Sequence, residues 1–186
     1  MVAGNKEIFM DTESCVKHRG KSLGEIEAVQ QLLNCEGVTY LCDSGFLFQK
    51  SDLRLRLWGS PWTIANGKAG KAFQVEVDEM QEKWEKIPTD TDILVTHSPA
   101  LGRLDKTKRG DAAGCPYLKD AVQRIRPLVH LCGHIHESRG ILQEEGGTIS
   151  VNAAVCDQEG KLAWQPLVLD ITTDESVSPV VVIKQD

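Results

Sequence analysis

Long apolar runs are missing from this sequence, and so is an excess of basic residues. No stretch is apolar over the length that a membrane-spanning helix needs, and the chain does not start with the basic and apolar pattern of a secretory leader. Lysine and arginine number 21 against 27 aspartate and glutamate residues, which gives a formal net charge of −6. That balance disfavours binding to nucleic acid through a basic surface. We therefore expect a cytoplasmic protein with no membrane partner and no nucleic-acid partner.

Cysteine patterns and internal repeats are missing as well. The six cysteines form no Cys-x-x-Cys pair and have no zinc-ribbon spacing. In a cytoplasmic protein such thiols are reduced and mostly buried, so we assign them no catalytic role. Because the sequence has neither a repeat nor a domain linker, the 186 residues are expected to form a single domain, residues 1–186, with its own hydrophobic core.

The most informative stretch is Leu-Cys-Gly-His-Ile-His-Glu at residues 131–137. It ends an apolar run, residues 127–132, that has the length of a buried strand. In an extended chain His134 and His136 would lie on the same side, whereas a turn at the strand end would direct them to two neighbouring points. Neutral histidine is the commonest metal ligand in proteins. Taken alone, a His-x-His pattern is equally compatible with a turn that exposes both rings.

Two further fragments add candidate ligands. The apolar run of residues 91–96 ends at His97, and Pro99 stops the strand there. Histidines that follow two parallel strands meet at the same edge of an α/β sheet, where ligands gather. Asn5 directly follows Gly4, and its amide oxygen suits a hard or borderline metal. An ordinary Gly-Asn turn explains that fragment equally well.

Apolar periodicity and turn residues predict a mixed α/β fold. Ser22 and Glu25 have the spacing of a helix capping box. Residues 53–58 alternate leucine with arginine, which predicts a half-buried strand with its arginines in solvent rather than on a phosphate. Further helices are predicted at residues 76–86 and 117–125, and further strands at 38–42, 46–48, 91–96, 127–132, 141–142, 148–151, 167–169 and 180–183. Residues 5–21 are expected to be irregular, residues 66–71 to form a mobile glycine-rich loop, and residues 101–114 to form a functional or flexible loop.

The candidate ligands occur in the order of a known set of motifs. Gly4-Asn5-Lys6-Glu7, then His97, then Gly-His-Ile-His at residues 133–136 resembles the calcineurin-like metallophosphoesterase series Gly-Asn-His-Asp/Glu, a lone His and Gly-His-x-His. Residues 57–62 (Leu-Trp-Gly-Ser-Pro-Trp), 92–102 and 151–156 (Val-Asn-Ala-Ala-Val-Cys) are similar to the metallophosphoesterase domain-containing branch, which is related to class III cyclic nucleotide phosphodiesterases. The resemblance extends from about residue 2 to about residue 171.

This resemblance implies a fold and a chemistry. The fold is a four-layer α/β/β/α metallophosphoesterase sandwich, here N-terminally shortened, and the chain corresponds to the C-terminal portion of the family fold. The chemistry is metal-dependent hydrolysis of phosphate esters, with phosphodiester or nucleotide-type small molecules as substrates. The family uses two divalent ions, with manganese, iron or zinc expected, and a single ion is expected in this chain. The resemblance assigns Asn5, His97 and His134 to one ion and His136 to the other.

The sequence departs from the family pattern in two ways. Lys6 stands at the position of the family's catalytic histidine, and a lysine ammonium neutralises phosphate but is a poor proton donor near neutral pH. The Asp-x-His and Gly-Asp motifs, which supply the bridging carboxylate, are absent from this sequence; Asp43 and Asp105 are assigned to a turn and a loop instead. Hydrolysis is therefore expected to be impaired, and a non-catalytic nucleotide- or metal-binding relative or a plain interaction protein is the alternative. Loss of a central strand is expected to expose an apolar sheet edge and to favour self-association.

Overall fold

The computed structural model of the chain describes residues 1–19, 22–31, 37–67, 71–173 and 179–184. The helices are α1 Thr12–Arg19, α2 Leu23–Gln31, α3 Met80–Glu85 and α4 Pro116–Ile125, with 3₁₀ turns at Ile8–Met10, Val77–Glu79 and His136–Ser138. The strands are β1 Ser44–Lys50, β2 Leu53–Ser60, β3 Thr63–Ile64, β4 Gln74–Val75, β5 Ile93–Thr96, β6 Val129–Cys132, β7 Gly140–Gln143, β8 Ile149–Asn152, β9 Val168–Thr173 and β10 Pro179–Lys184. None of the described helices has the length and apolar character needed to cross a bilayer.

A six-stranded sheet positions the candidate site. Its order is β1-β2-β5-β6-β8-β7, with β2, β5, β6 and β8 parallel and the two outer strands antiparallel to their neighbours. The short, apolar strands β5 and β6 lie in the middle, as expected for parallel strands buried on both faces. Because β5 and β6 run in the same direction, their carboxyl ends meet at one edge. There the amide nitrogen of Gly133 donates a hydrogen bond to the carbonyl oxygen of His97 over 3.0 Å.

Each face of this sheet buries its own set of side chains. Leu94 faces α3 and α4, whose Met80, Trp84, Leu118 and Val122 are fully or almost fully buried. The alternate residues Val129, Ile149 and Val151 face the other way and pack against Leu169 and Ile171 of the β9–β10 hairpin. The helices, the main sheet and this hairpin form successive layers, so the predicted α/β fold, with helices on a mixed sheet, is confirmed.

The N-terminal segment has a small core of its own. Ala3, Ile8, Cys15 and Ile26 are buried together with Phe73. The predicted irregular structure over residues 5–21 is wrong for most of that range, because it contains the 3₁₀ turn and α1. Asp11 explains the helix start: its Oδ1 accepts a hydrogen bond from the amide of Ser14 over 3.1 Å, as at an N-cap, although the short polar sequence gives little helical periodicity.

Other local predictions have mixed outcomes. The capping box is confirmed, since Ser22 N donates to Glu25 Oε2 over 3.0 Å and Glu25 N donates to Ser22 Oγ over 3.3 Å. The alternation in β2 is confirmed too, with Leu55 buried and both arginines exposed. The predicted strand at residues 38–42 is wrong: that stretch is irregular and joins residue 1 through a hydrogen bond from Leu41 N to Met1 O. Residues 68–70 of the predicted mobile loop lie outside the described residues.

The long stretch at residues 101–114 is organised by a buried carboxylate. Asp105 is 1% exposed, and its Oδ2 accepts hydrogen bonds from the amides of Gly102 and Gly114 over 2.9 and 3.0 Å. An isolated bridge between Lys106 and Ala112 closes the turn. These contacts are consistent with the assignment of Asp105 to a structural position in the loop, since both hydrogen bonds to its Oδ2 come from backbone amides of the same stretch.

Candidate functional site

An open cleft of about 470 Å³ lies at the carboxyl edge of β5 and β6. The N-terminal turn, Asn66, Lys71 and the chain segment around residues 156–160 form its other walls. All four candidate metal ligands and Lys6 line it; the complete lining is Asn5, Lys6, Glu7, Asn66, Lys71, His97, His134, His136, Glu137, Cys156, Gln158 and Gly160. Residues that are up to 155 positions apart in the sequence therefore share one cavity.

The position of His97 depends on the absence of a side chain at Gly4. A Cβ atom added to Gly4 would lie only 2.4 Å from both Cε1 and Nδ1 of His97, closer than such atoms can approach. The imidazole therefore occupies space that any other residue at position 4 would fill. This contact joins the N-terminal turn to the end of β5 and fixes the ring's place in the cleft.

His134 reaches His97 because its backbone adopts an unusual conformation. Its φ is +66°, in the left-handed region that non-glycine residues rarely occupy. The resulting turn brings Nδ1 of His134 to 2.9 Å from Nε2 of His97, with the ring centroids 4.7 Å apart. One ring donates and the other accepts, so the two nitrogens share a single proton between them.

Both rings favour the neutral form that binds metals. Burial, followed by the charges of His134, His136 and Lys6, lowers the pKa of His97 to about 3. Burial, followed by His136, Lys6 and Lys71, also lowers the pKa of His134, and Glu137 opposes that shift only weakly. Near pH 7 both imidazoles are uncharged and each keeps a lone pair on one nitrogen.

His136 lies in the same cleft but has a different partner. It begins the 3₁₀ turn after β6, and its Nδ1 lies 2.5 Å from the carbonyl oxygen of Asp157. A carbonyl only accepts, so Nδ1–H donates and Nε2 is the ring nitrogen that is left for a ligand. Histidine ligands commonly have such an outer partner on the second nitrogen. The assignment of His136 to a second ion remains a prediction.

The N-terminal turn is fixed by backbone contacts. Asn5 is 7% exposed, and its backbone carbonyl oxygen accepts a hydrogen bond from the amide of Ala72 over 3.1 Å. The carboxylate of Glu7 accepts a hydrogen bond from the amide of Gly4 over 2.7 Å. The Gly-Asn turn of the sequence is therefore present, and Asn5 and Lys6 line the cleft.

The donor set suits one ion better than two. Two imidazole nitrogens that bind one ion at ~2.0–2.1 Å lie roughly 2.9–3.4 Å apart, depending on the geometry, and Nε2 of His97 and Nδ1 of His134 are 2.9 Å apart. Asn5 adds an amide oxygen to the same cleft. Among the described residues, however, no three His, Cys, Asp or Glu side chains converge as a metal site. Glu7 and Glu137 also line the cleft, but among the described residues neither carboxylate belongs to such a group.

Sequence reasoning missed several residues of the cleft. Lys71 and Asn66 belong to the glycine-rich stretch that was assigned to a mobile loop, and Gln158 follows the Val-Asn-Ala-Ala-Val-Cys motif without any signal of its own. Asp43, assigned to a turn, accepts hydrogen bonds from Ser60 Oγ and Trp62 Nε1, both over 2.7 Å. It thereby joins the end of β2 to the preceding turn and takes no part in the cleft lining.

Comparisons with known proteins place the chain among named relatives. It is 33% identical over 180 residues to a UPF0046 protein of Caenorhabditis elegans, which covers 92% of this chain and 60% of the relative. It is 34% identical over 181 residues to human metallophosphoesterase domain-containing protein 1, which covers 93% of this chain and 55% of the relative. The chain thus spans little more than half the length of the curated relatives it matches.

The chain was also compared with protein-family models and with solved structures. No protein-family model matches the chain. A solved crystal structure superposes with a TM-score of 0.52 at 14% sequence identity, covering 82% of this chain and 56% of that one. At this level of identity the superposition supports the fold alone.

Proposed function

We propose, from its similarity to the UPF0046 and metallophosphoesterase domain-containing proteins, that the chain belongs to their family and that its cleft binds a divalent metal ion and hydrolyses phosphate esters slowly. The observation that carries the proposal is the pair of His97 and His134 at the carboxyl edge of two parallel strands. Both rings favour the neutral form, and Nε2 of His97 lies 2.9 Å from Nδ1 of His134. The same cleft also contains Asn5 and His136.

The residues that would hold the ion are Asn5, His97 and His134, with His136 as the ligand of a second ion where one is bound. Manganese, iron and zinc all accept imidazole ligands. A divalent ion in this place supplies Lewis-acid polarisation of a phosphoryl oxygen. The chain's own contribution is to hold neutral imidazoles and an amide oxygen in a partly buried site. Binding near pH 7 needs no net loss of a proton, but the proton that the two rings share has to move to the other nitrogen of its ring.

The proposed rate of hydrolysis is low because a lysine, Lys6, lies beside the metal ligands in place of a proton-donating histidine. Lys6 lies next to Asn5 and places its positive charge near both histidines, since it contributes to lowering their pKa values. Its ammonium group would stabilise the charge of a bound phosphate but is a poor donor to a leaving alkoxide. Loss of general acid catalysis alone costs ~10²–10⁴-fold in rate.

The cleft suits a small-molecule phosphate ester or nucleotide. It is open, and polar side chains such as Asn66 and Gln158 line it beside the histidines. Its volume of about 470 Å³ falls in the range that small-molecule sites occupy, roughly 300–1,000 Å³. A phosphodiester of moderate size is therefore the proposed substrate class, with nucleotide-type diesters included.

Hydrolysis of bis(p-nitrophenyl) phosphate with added manganese tests this proposal. We expect turnover slightly above background, loss of that turnover in His97→Ala, and a gain in Lys6→His through restored proton donation. Lys86→Met, which changes an exposed lysine outside the cleft, should leave the rate unchanged. Turnover that is equal in the parent chain and in His97→Ala would contradict the metal mechanism.

A non-catalytic nucleotide- or metal-binding relative is the second candidate, and the same cleft supports it. Here the absence of a three-residue His, Cys, Asp or Glu cluster among the described residues favours weak, single-ion binding. Metal content after gel filtration, measured together with turnover, separates the two candidates. If the chain retains manganese but the Lys6→His variant shows no increase in turnover, the non-catalytic binding protein is favoured.

A further inference from the structure

We propose that Lys6 and Lys71 form a pair of ammonium groups that binds a doubly charged phosphate monoester in the cleft without any metal ion. This inference rests on the proposed function for its location, because it concerns the same cleft. Beyond that function, Lys71 takes part in binding, no metal ion is needed, and monoesters bind more tightly than diesters. We call the two residues the lysine pair.

The backbone brings the two lysines to one side of the cleft. The amide of Ala72 donates to the backbone carbonyl oxygen of Asn5 over 3.1 Å. Lys71 and Lys6 are the direct neighbours of these two residues, so their backbones lie close together. Ala72 is fully buried and Phe73 nearly so, and the amide of Phe73 donates to Asp11 Oδ2 over 2.7 Å. The chain on the carboxyl side of Lys71 is therefore anchored, and both lysines line the cleft.

The lysine pair shares the cleft with the two histidines. Lys6, Lys71, His97 and His134 all line it. A phosphate that binds beside His134 would therefore lie near two positive charges and would be stabilised by them.

The lysine pair and the two carboxylates of the cleft have different partners. Glu7 accepts the amide of Gly4 over 2.7 Å and Glu137 accepts the amide of Lys108 over 3.1 Å, so each carboxylate already has a donor. In the part of the chain that the structure describes, no carboxylate lies within ion-pair distance of either lysine of the pair. Both ammonium groups therefore retain donors for a ligand, with three each.

The charge of the ligand follows from this arrangement. Two ammonium groups match a phosphate monoester, which carries up to two negative charges near pH 7, better than a diester, which carries one. The neutral imidazoles of His97 and His134 add a donor without adding charge. A monoester is also the product of diester hydrolysis, so the lysine pair would retain the product of the proposed reaction.

Isothermal titration calorimetry in excess EDTA tests the inference with phenyl phosphate as the monoester and bis(p-nitrophenyl) phosphate as the diester. We expect the parent chain to bind phenyl phosphate more tightly than the diester and to lose affinity as salt is added. Lys71→Met and Lys6→Met should each weaken phenyl phosphate binding about tenfold, as for loss of one charge-assisted hydrogen bond.

Two variants separate charge from structure. Lys71→Arg keeps the positive charge and should retain binding within a few-fold, whereas Lys86→Met removes an exposed lysine outside the cleft and should change nothing. Circular dichroism melts check that every variant folds. Equal affinity of the parent chain and Lys71→Met, or no binding of phenyl phosphate in EDTA by a folded parent chain, would overturn the inference.

The outcome is independent of turnover. Retained binding of phenyl phosphate in EDTA by a chain that shows no manganese-dependent hydrolysis leaves the lysine pair in place and rejects only the proposed reaction. Hydrolysis that is lost in His97→Ala but unaffected by Lys71→Met, without metal-free binding, supports the reaction and rejects the lysine pair.

Discussion

The two sides of the cleft are built in different ways. His97 and His134 follow strands in the middle of the sheet, with α3 and α4 packed over Leu94. Asn5 and Lys6 lie in a segment that has a small core of its own. This segment joins the sheet side through Trp62, which packs against both cores, through single hydrogen bonds and through the contact of Gly4 with the His97 ring. The histidine side is thus fixed by the main core, whereas the N-terminal side depends on a few contacts. Stability and ligand binding should therefore respond differently to changes on each side.

The largest effect is expected from the core beneath the histidine side. Trp84 is 1% exposed, and its indole nitrogen donates to Cys115 Sγ over 3.2 Å. Trp84→Ala should lower the free energy of unfolding by roughly 3–5 kcal/mol, measured by urea denaturation. Ile26→Ala, its counterpart in the N-terminal core, should cost about 2 kcal/mol and weaken manganese binding while most of the sheet signal remains. Identical, fully cooperative losses in both variants would show that the two sides unfold as one unit.

The contact between the two sides is expected to give the next largest effect. Gly4→Ala places a methyl group in the space of the His97 ring, so the ring must move away from His134. Manganese affinity should fall roughly 10–100-fold, the range found when the support of a metal ligand is lost, as measured by calorimetry. Gly24→Ala is a matched control, because nothing lies within 4 Å of the added atom and α2 gains helix propensity. Unchanged affinity in Gly4→Ala would mean that the ring position does not matter for binding.

Acid should weaken the histidine side through His130. This ring is 0% exposed, and burial lowers its pKa to about 4, with Arg103 adding to the shift and Glu144 opposing it. Thr96 Oγ1 donates to Ser98 O over 2.7 Å, so Nε2 of His130 donates to that hydroxyl over 2.8 Å. Its Nδ1 has no partner among the described residues, and a proton added there would have no acceptor.

The sign of the effect follows from the direction of that shift. The unfolded chain takes up this proton below about pH 6.5 and the folded chain only near pH 4, so the contribution is complete above pH 6.5 and is lost as the pH falls. The parent chain in EDTA should lose about 2 kcal/mol from this group between pH 7.5 and pH 5. In His130→Gln the dependence of unfolding free energy on pH should be flatter by that amount. The same slope in both proteins would assign the acid sensitivity to other groups.

The smallest effect on folding is expected at the sheet edge next to the N-terminal side. Phe46, Leu47 and Phe48 of β1 are 41%, 46% and 38% exposed, and among the described strands β1 pairs with β2 alone. An exposed apolar edge pairs readily with another chain, so we expect concentration-dependent self-association in sedimentation velocity. Leu47→Lys should abolish it with a change in folding free energy below about 1 kcal/mol. Val77→Lys, a control at another exposed apolar side chain, should leave association intact, and a monomeric parent chain would contradict the expectation.

The same division explains what could be predicted from the sequence. Strands β5 and β6 are continuous apolar runs that end in histidine, so their type, their direction and the meeting of His97 with residues 133–136 followed from local pattern and the rules of parallel sheets. The N-terminal segment has few apolar residues at regular spacing, and α1 depends on the Asp11 cap and on tertiary burial of Cys15. Local propensity is a weak guide where tertiary contacts decide the structure.

The cleft lining shows the same limit at the level of single residues. The order of motifs indicated Asn5, His97, His134 and His136, because each belongs to a short pattern. Lys71 could not be found in that way, since its place in the cleft comes from a hydrogen bond between residues 5 and 72 that no local pattern encodes. The φ of +66° at His134 was likewise not indicated by the sequence, which is compatible with either an extended chain or a turn at this position.

The hydrogen bond from Ala72 to Asn5 makes one amide proton a reporter of how often the N-terminal side separates from the rest of the molecule. Ala72 is 0% exposed, and its N–H points at a carbonyl 67 positions earlier in the chain. Hydrogen–deuterium exchange at this amide requires that the two segments part, so its rate measures the free energy of that opening. A ligand held by the histidines alone leaves the exchange rate unchanged. A ligand that binds Lys6 and Lys71 as well bridges both segments and slows the exchange in proportion to its occupancy.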